Sequence, residues 1–532
     1  PLTLPTILER AGRIFPRVEI VSRKPDKSIT RTCYGEFHRR ARWLASALTK
    51  LGMKRGDRVA SMMWNHSKHL EAFFGVPCGG GILHTLNLRL HPHEIAVIAK
   101  HAGDRMLLID DVLLPVYEKF HQEARFEHVI VVPYGCNAVP QGFLNYETML
   151  AEAGDDFDYP KIDENDGAVM CYTSGTTGFS KGVIYSHRAL VLHSFACGLA
   201  EVFGMSFSDT ILPVAPMFHA NAWGLPFSAT MLGARLVLPG PNIDPESLLD
   251  LMVNERVTIA CGVPTVWIGI LEALEKNPGR WKFDAPIRIV CGGTAPPLEL
   301  IRQLDRFGLQ IKHLWGMTET TPIGTSGGLR PHMRDWPDEK KYEARAKQGW
   351  PAPFVEIRLM RPDAPSEVPW DGKSSGEIEI RGPWIAATYH DSPDQAHRWT
   401  TDGWFRTGDV ATMNEEGYVK IVDRAKDLVK SGGEWISSVD LENTLMGHPA
   451  VKEACVVGIP HPKWQERPLA AIVLKDGFHT TAEELRSFLA KSFAKWQIPD
   501  AFVFVDAIPR TSVGKFKKIA LREQFANWKW ES

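Results

Sequence analysis

Long hydrophobic runs are missing from this chain of 532 residues. A bilayer span needs roughly 20 consecutive apolar residues; the best candidate, AFFGVPCGGGILHTL, is short, glycine-rich and interrupted by His84. The opening stretch PLTLPTILERAGRIF lacks the basic region and apolar core of an export signal, so a cytoplasmic protein with no integral membrane segment is expected. Charge of one sign is also missing: 61 basic residues against 63 acidic ones leave a formal net charge of -2. That balance gives no electrostatic case for nucleic acid or an anionic surface as partner. The eight cysteines stand singly, without the close spacing of a zinc or redox site. They read as small buried hydrophobes in a reducing compartment. Cys291, in CGGTAPP, is included because neither a base nor a helix start accompanies it.

Hydrophobic residues make up 44% of the chain, enough at this length for a large core without disulfides or metals. The first half alternates helix-like and strand-like segments. YGEFHRRARWLASALTKLG has helical apolar spacing and ends at a glycine, while DRVASMMW, RMLLIDD, VTIACGVP and IRIVCGG read as short buried strands. This alternation predicts α/β layers with mainly parallel sheets. From about residue 350 the texture changes. FVEIRLM, GEIEIRG and GYVKIVDR alternate like a smaller antiparallel unit. A compact mixed segment then follows the glycine and charge cluster at 423–433, the best boundary candidate.

The stretch YTSGTTGFSKGV (172–183) looks like a phosphate cradle, but Gly175 and Gly178 are only three apart and Lys181 precedes Gly182. It therefore fails the Walker pattern G-x-x-x-x-G-K-[ST]. Small residues still let backbone N–H groups approach phosphate oxygens, and hydroxyls and one lysine add donors. LWGMTETTP (314–322) places an indole, a hydroxyl and a carboxylate in one short turn, the stacking face, phosphate contact and magnesium ligand that a nucleotide site needs. FRTGD offers Asp409 as an acceptor for ribose hydroxyls. Alone it reads as a turn, just as the basic tail PRTSVGKFKK around Lys515 alone reads as a solvated face. DRAKDLVKSGGEWISSVDLEN adds Arg424, Lys426 and Lys430 ahead of Gly432 and Gly433.

In this order and spacing the motifs resemble the acyl-adenylate-forming superfamily over nearly the whole chain. SHRALVLHS, PMFHANAWGLP and PHPKWQERPLA are closest to bacterial long-chain fatty acyl-CoA synthetases. The resemblance implies a large N-terminal domain (1–425) with two α/β sheet subdomains and a small β-barrel-like one, a hinge at 426–430 and a small mobile α+β lid (431–532). It implies an ATP-dependent fatty acid:CoA ligase in which a medium- to long-chain carboxylate attacks the α-phosphorus of ATP and coenzyme A then displaces AMP. A ligase for a short or unusual acid (a thioether propionate or an aryl acid), an amide synthetase on the same scaffold, and a nucleotide-binding protein without catalysis are the competing readings.

The implied roles are specific. Thr173, Ser174, Gly175, Thr176, Thr177, Gly178 and Lys181 hold the β- and γ-phosphates, Thr173 and Glu319 coordinate Mg2+, and Thr318 touches phosphate. Gly293, Thr294, His313, Leu314, Trp315 and Gly316 line the adenine and the start of the acyl pocket, where Met317 joins them. Asp409 and Arg424 bind ribose. Lys515 bridges the attacking carboxylate and the α-phosphate. The lid turns at Lys426, bringing Gly432 and Gly433 to the site for coenzyme A, and Lys430 and Trp435 contact nucleotide. His219 and Trp223 share a face if their stretch is helical. The resemblance makes His219 part of an aromatic wall and Trp223 a gate to a fatty-acyl tunnel, with Ala222, Gly224, Gly292 and Gly293 leaving room for the chain. A homodimer built through the N-terminal region is expected on the same ground.

Overall fold

The computed structural model describes residues 1–173, 180–361, 364–431, 434–511 and 514–530. Among them, strands form four sheets of nine, seven, four and five strands. The nine-stranded sheet has a parallel centre running Leu309–Gly316, Ile287–Cys291, Ile259–Gly262, Thr210–Pro213, Arg235–Leu238 and Glu19–Arg23, with antiparallel strands at both edges. The seven-stranded sheet is parallel from Leu144–Asn145 to Gly167–Tyr172 and ends in the antiparallel strand Gly182–Ser186. Parallel strands need covering on both faces, which explains their near-continuous apolar sequences.

Helices fill the space between the two large sheets. In Tyr34–Lys50 the buried residues Phe37, Ala41, Leu44, Ala45 and Leu48 recur at helical spacing, and Gly52 follows at φ 93°, where the chain turns out of the helix. Phe37 meets Phe74 edge-on with centroids 5.4 Å apart, and Phe74 meets Phe227 at the same separation. These rings join one buried cluster that also contains Leu83 and Ile211, one from each large sheet. Truncating a buried phenylalanine of this kind to alanine costs about 3–5 kcal/mol. The two sheets therefore behave as one body around a shared aromatic core.

The strands Glu356–Met360, Ser375–Arg381, Phe405–Met413 and Val419–Arg424 form the antiparallel four-stranded sheet. The last sheet is built on the long hairpin Val451–His461/Gln465–Leu474, with helices Ser438–Met446 and Ala482–Leu489 packed on it. No helix among the described residues is long and apolar enough to cross a membrane. Six cysteines are buried, as the sequence suggested; Cys33 is half-buried and Cys136 is exposed. Burial pushes the Cys291 thiol upward, away from nucleophilic use.

One element is added to the sequence reading and one expectation changes. An additional strand, Gly182–Ser186, stands between the glycine-serine loop and helix His187–Gly198, and Ser186 caps that helix by accepting from Ala189 N at 3.1 Å. The His219–Trp223 stretch is not a right-handed helix: Ala220, Asn221, Ala222 and Trp223 all have φ between 43° and 58°. This left-handed turn is unusual for non-glycine residues, so the helical face proposed for His219 and Trp223 does not exist.

Candidate active site

A cavity of about 540 Å³ opens where the C-terminal ends of the nine-stranded sheet, the four-stranded sheet and the last domain's tail meet. Open parallel sheets place ligand sites at this end of their strands. Strand Leu309–Gly316 delivers His313, Leu314, Trp315 and Gly316 to the cavity, and the short turn after it delivers Met317, Thr318 and Glu319. A β-carbon on Gly316 would lie 1.6 Å from Pro322 O, so only glycine fits this tight reversal. Asp409 and Arg424 arrive from adjacent strands, where they are register partners.

The polar groups form two linked sets. In one, Asp409 Oδ2 accepts from Trp315 Nε1 at 2.9 Å and Arg424 Nε lies 3.0 Å from Asp409 Oδ1. The Asp409 carboxylate is the main reason the Arg424 guanidinium is held above its usual range. In the other, Tyr389 OH donates to Glu319 Oε1, and Lys181 Nζ sits 5.3 Å from the centroid of the Tyr389 ring. Burial lowers the Lys181 ammonium, and Arg398 adds to the effect. Lys181 N donates to Thr173 Oγ1 at 3.0 Å while Thr173 N donates to Lys181 O at 2.9 Å. The loop is thus pinched shut at its base. Ser174, Gly175, Thr176, Thr177 and Gly178 lie outside the described residues, as do Gly432 and Gly433.

Lys515 reaches the cavity from the tail. Burial, with repulsion from Arg424, pushes its ammonium down to about 8 despite the opposing Asp409 and Glu319. Gly293, at φ 88°, passes so close that a β-carbon there would lie 3.6 Å from Lys515 Cε and 3.1 Å from Val263. The backbone conformation and the close approach both call for glycine. Thr294 lines the same side. His219 also faces the cavity, where burial pushes it down to about 3 and Lys515 adds repulsion. It is a neutral imidazole at neutral pH. His313 is neutral too, down to about 4 through burial, with Nδ1 2.9 Å from Ala346 O.

On the apolar side, Trp223 packs over Gly292: a β-carbon on Gly292 would be 3.7 Å from Trp223 Cη2 and 3.2 Å from Leu314 O. Ala222 and Gly224 do not join them. Ala222 is fully buried in the core, and Gly224, at φ 74°, presses on the buried His193 ring, 2.5 Å from the position of a β-carbon. The glycine serves the turn and the packing rather than the cavity. Lys430 and Trp435 are likewise not brought to it. They face each other across a short hairpin, with Lys430 Nζ 5.4 Å from the Trp435 ring centroid. Lys426 does line the cavity.

Tyr389, Arg398, Gln348 and Arg89 are among the lining residues not singled out in the sequence. Tyr389 and Arg398 lie 70 and 79 positions from Glu319, in a segment with no glycine or carboxylate pattern. Local spacing carries no signal of them. The two residues expected to hold magnesium are both oxygen donors, the buried Glu319 carboxylate and the Thr173 hydroxyl, and both line the cavity. That hard, sparse set fits a cation that keeps most of its waters and takes one or two protein ligands alongside phosphate.

The sequence model of a family described as AMP-binding enzyme matches residues 8–390, and that of the AMP-binding enzyme C-terminal domain matches residues 440–515. The chain is 49% identical over 530 residues to a long-chain-fatty-acid–CoA ligase of Thermus thermophilus, covering 99% of this chain and 96% of that one. It is 42% identical to a 3-methylmercaptopropionyl-CoA ligase of Ruegeria lacuscaerulensis, covering 99% and 97%. Among solved structures it resembles the anthranilate CoA ligase AuaEII in complex with anthranoyl-AMP, at a TM-score of 0.87 with 25% identity and 98% of both chains covered.

Proposed function

Because the chain belongs to the family of AMP-binding enzymes, we propose that the cavity joins a fatty carboxylic acid to coenzyme A at the expense of ATP, through an acyl-adenylate. The observation that carries this reading is the convergence of Lys515, Glu319 and the Asp409–Arg424 pair on one cavity whose other wall is Trp223 over Gly292. Relatives named for long- and medium-chain fatty acids, at 49% and 42% identity over nearly the full chain, support the substrate class.

A carboxylate is a poor acyl donor because its leaving group would be oxide. Attack of the carboxylate oxygen on the α-phosphorus of ATP expels pyrophosphate and leaves a mixed anhydride. The thiol sulfur of coenzyme A then attacks the acyl carbon, the C–O bond to phosphate breaks, and AMP departs with the electron pair. Lys515 donates to the carboxylate and the α-phosphate as charge develops between them; losing one such preorganised donor costs about 3–4 kcal/mol of barrier. Asp409 and Arg424 hold the ribose, while Lys181, Thr318 and the loop from Thr173 hold the outer phosphates. Glu319 and Thr173 would hold magnesium, which when bound neutralises phosphate charge. Neutral His219 adds a flat wall without competing for phosphate. Trp223 separates the nucleotide from the acyl chain.

The domain division at 425, the hinge at 426–430 and the use of Lys426, Lys430, Trp435, Gly432 and Gly433 in a second arrangement for thioester formation belong to this proposal. So do a homodimer and a cytoplasmic location, checked by sedimentation and cell fractionation. The central test is ATP–pyrophosphate exchange with acids from acetate to oleate, followed by thioester formation with coenzyme A. A maximum at medium or long chains is expected. A maximum at short or thioether acids would replace the fatty-acid reading, and no exchange with any acid would overturn the ligase.

A further inference from the structure

Along one wall of the cavity lies a buried polar chain, Asp423, Glu442 and Lys518 with Ser438 behind them, to which the reaction above assigns no role. Asp423 is the penultimate residue of strand Val419–Arg424 of the four-stranded sheet, Ser438 begins helix Ser438–Met446, and Lys518 begins helix Lys518–Gln524. All three meet at one hydroxyl. Ser438 Oγ donates to Asp423 Oδ2 and accepts from Lys518 Nζ, while Ser438 N donates to the same Asp423 oxygen at 2.8 Å. Lys518 Nζ is also 2.8 Å from Glu442 Oε1, which accepts from Val456 N at 2.8 Å. Asp423 and Ser438 are 2% and 0% exposed, so none of these contacts is weakened by solvent in the way of a surface ion pair.

The contacts cross the segment 426–430. Asp423 precedes it, and Ser438, Glu442 and Lys518 follow it. Ser437 Oγ crosses beside them, donating to Val422 O at 2.6 Å. A second grip lies one helical turn along: Arg522 Nη2 donates to Lys426 O at 3.3 Å, and Nη1 lies 2.8 Å from Asp427 Oδ1, close enough for an ion pair without hydrogen-bond alignment. Lys518 and Arg522 are four apart and so share one helix face.

The chain connects to Lys515 at one end and to the ribose-side pair at the other. Lys515 lies three residues before Lys518 and its segment is tied back to residues 509–511: Thr511 N donates to Lys515 O at 2.7 Å, Lys515 N to Thr511 Oγ1 at 3.1 Å, and Lys517 N to Pro509 O at 2.8 Å. Asp423 Oδ1 accepts from Arg424 N at 2.8 Å, and Arg424 holds Asp409. One carboxylate thus ties the position of Arg424 to that of the lysine loop.

We propose that Ser438, bridging Asp423 and Lys518, is a positioning clasp that holds Lys515 in the cavity for the adenylation step. The clasp rests on the ligase reading for its consequence in catalysis, but its effect on the loop is independent of the acid used. Ser438 touches no reactant and acts only through Lys515. Breaking the bridge releases the lysine loop and leaves the second half-reaction intact, because that step needs Lys515 elsewhere.

The test compares Ser438→Ala, Lys518→Ala and Lys518→Arg with the wild type. Single-turnover acyl-adenylate formation should fall about tenfold in Ser438→Ala, the scale of one hydrogen bond to a charged group, while thioester formation from supplied acyl-adenylate stays within about twofold. Lys518→Arg should recover most of what Lys518→Ala loses. In a Lys515→Ala background, Ser438→Ala should cause no further loss, since the two substitutions act through one group. Hydrogen exchange in the ligand-free protein should rise at residues 514–518 in Ser438→Ala, whatever acid the enzyme activates. Equal loss in both half-reactions, additive loss with Lys515→Ala, or unchanged exchange at 514–518 would overturn the clasp. Absence of activity in the wild type together with raised exchange would overturn the ligase reading and leave the clasp supported.

Discussion

Trp315 Nε1 donates to Asp409 Oδ2 at 2.9 Å, joining residues 94 positions apart. An indole fixed this way cannot swing freely, and the carboxylate it holds is faced on its other oxygen by Arg424, whose Nε lies 3.0 Å away as an ion pair. A carboxylate has about four acceptor sites. The Trp315 hydrogen bond takes one of them, which leaves room for a pair of vicinal hydroxyls beside the Arg424 ion pair.

Asp409→Asn therefore removes the charge that aims Arg424 and half the acceptor capacity. Hydrogen bonds to charged groups contribute about 1.5–3 kcal/mol each, so KM for ATP should rise on the order of tenfold to a hundredfold. KM for the acid should change far less. Steady-state kinetics with each substrate varied in turn checks this; equal rises for both would place Asp409 outside the ribose contact.

Tyr389→Phe removes the donor that pins Glu319 Oε1 while keeping the ring under Lys181. The freed carboxylate loses orientation rather than charge. Positioning partners of ligand side chains typically carry about 10–100-fold in metal affinity, so a magnesium titration should shift upward by that order. Isothermal titration of Mg2+ into the ATP complex reads this directly. No shift would mean that Glu319 does not meet the metal.

Much of this architecture was legible because it rests on local pattern. Short apolar runs bounded by glycine or proline, such as VTIACGVP and IRIVCGG, became the buried strands Ile259–Gly262 and Ile287–Cys291, and the motif residues Glu319, Asp409 and Lys515 do converge. What was not legible depends on partners distant in sequence. Tyr389 acquires its role only by touching Glu319 and Lys181. Gly224 looked like spare volume until His193 was found against it. The turn at Ala220–Trp223 adopts left-handed backbone that asparagine tolerates but alanine and tryptophan disfavour, so tertiary packing overrides local preference at three of its four positions. Strand Gly182–Ser186 was hidden because the glycine-serine loop before it drew attention to its donors rather than to its far arm.

Gly292→Val should narrow the acyl side. The position of the glycine's missing β-carbon is 3.2 Å from Leu314 O and 3.7 Å from Trp223 Cη2, so added methyl groups meet the indole and confine it. One methylene misfit in an apolar pocket is worth about 1–3 kcal/mol, or 10–200-fold. kcat/KM for long chains should drop by that order while short acids are retained, and Trp223→Ala should move the preference the opposite way. A chain-length series measured with both variants checks the pair. Parallel losses at every length would place the acyl chain elsewhere.

The pH dependence of adenylation should follow Lys515. Its ammonium is the form that offsets phosphate charge, and burial beside Arg424 brings it down to about 8. Since kcat/KM reports the free enzyme, that parameter should fall about tenfold per unit above roughly pH 8. Bound ATP brings negative charge that favours the ammonium, so the limb in kcat should lie at higher pH. This lysine's own effect on stability runs the other way. The unfolded chain keeps this lysine protonated up to its ordinary value of 10.5, so above about pH 8 the unfolded state binds more protons and this group's contribution to folding stability rises with pH. Lys312, pushed down to about 8 by burial, acts in the same direction. The buried thiols of Cys78, Cys171, Cys197, Cys261, Cys291 and Cys455 are pushed up by burial and act the opposite way, since the unfolded chain loses those protons first, so melting curves over about pH 8 to 9.5 separate loss of the ammonium from loss of fold. Lys515→Arg separates the two directly: a guanidinium stays protonated throughout, so its alkaline limb should disappear even though its maximal rate is lower. An unchanged limb in that variant would assign the titration to another group.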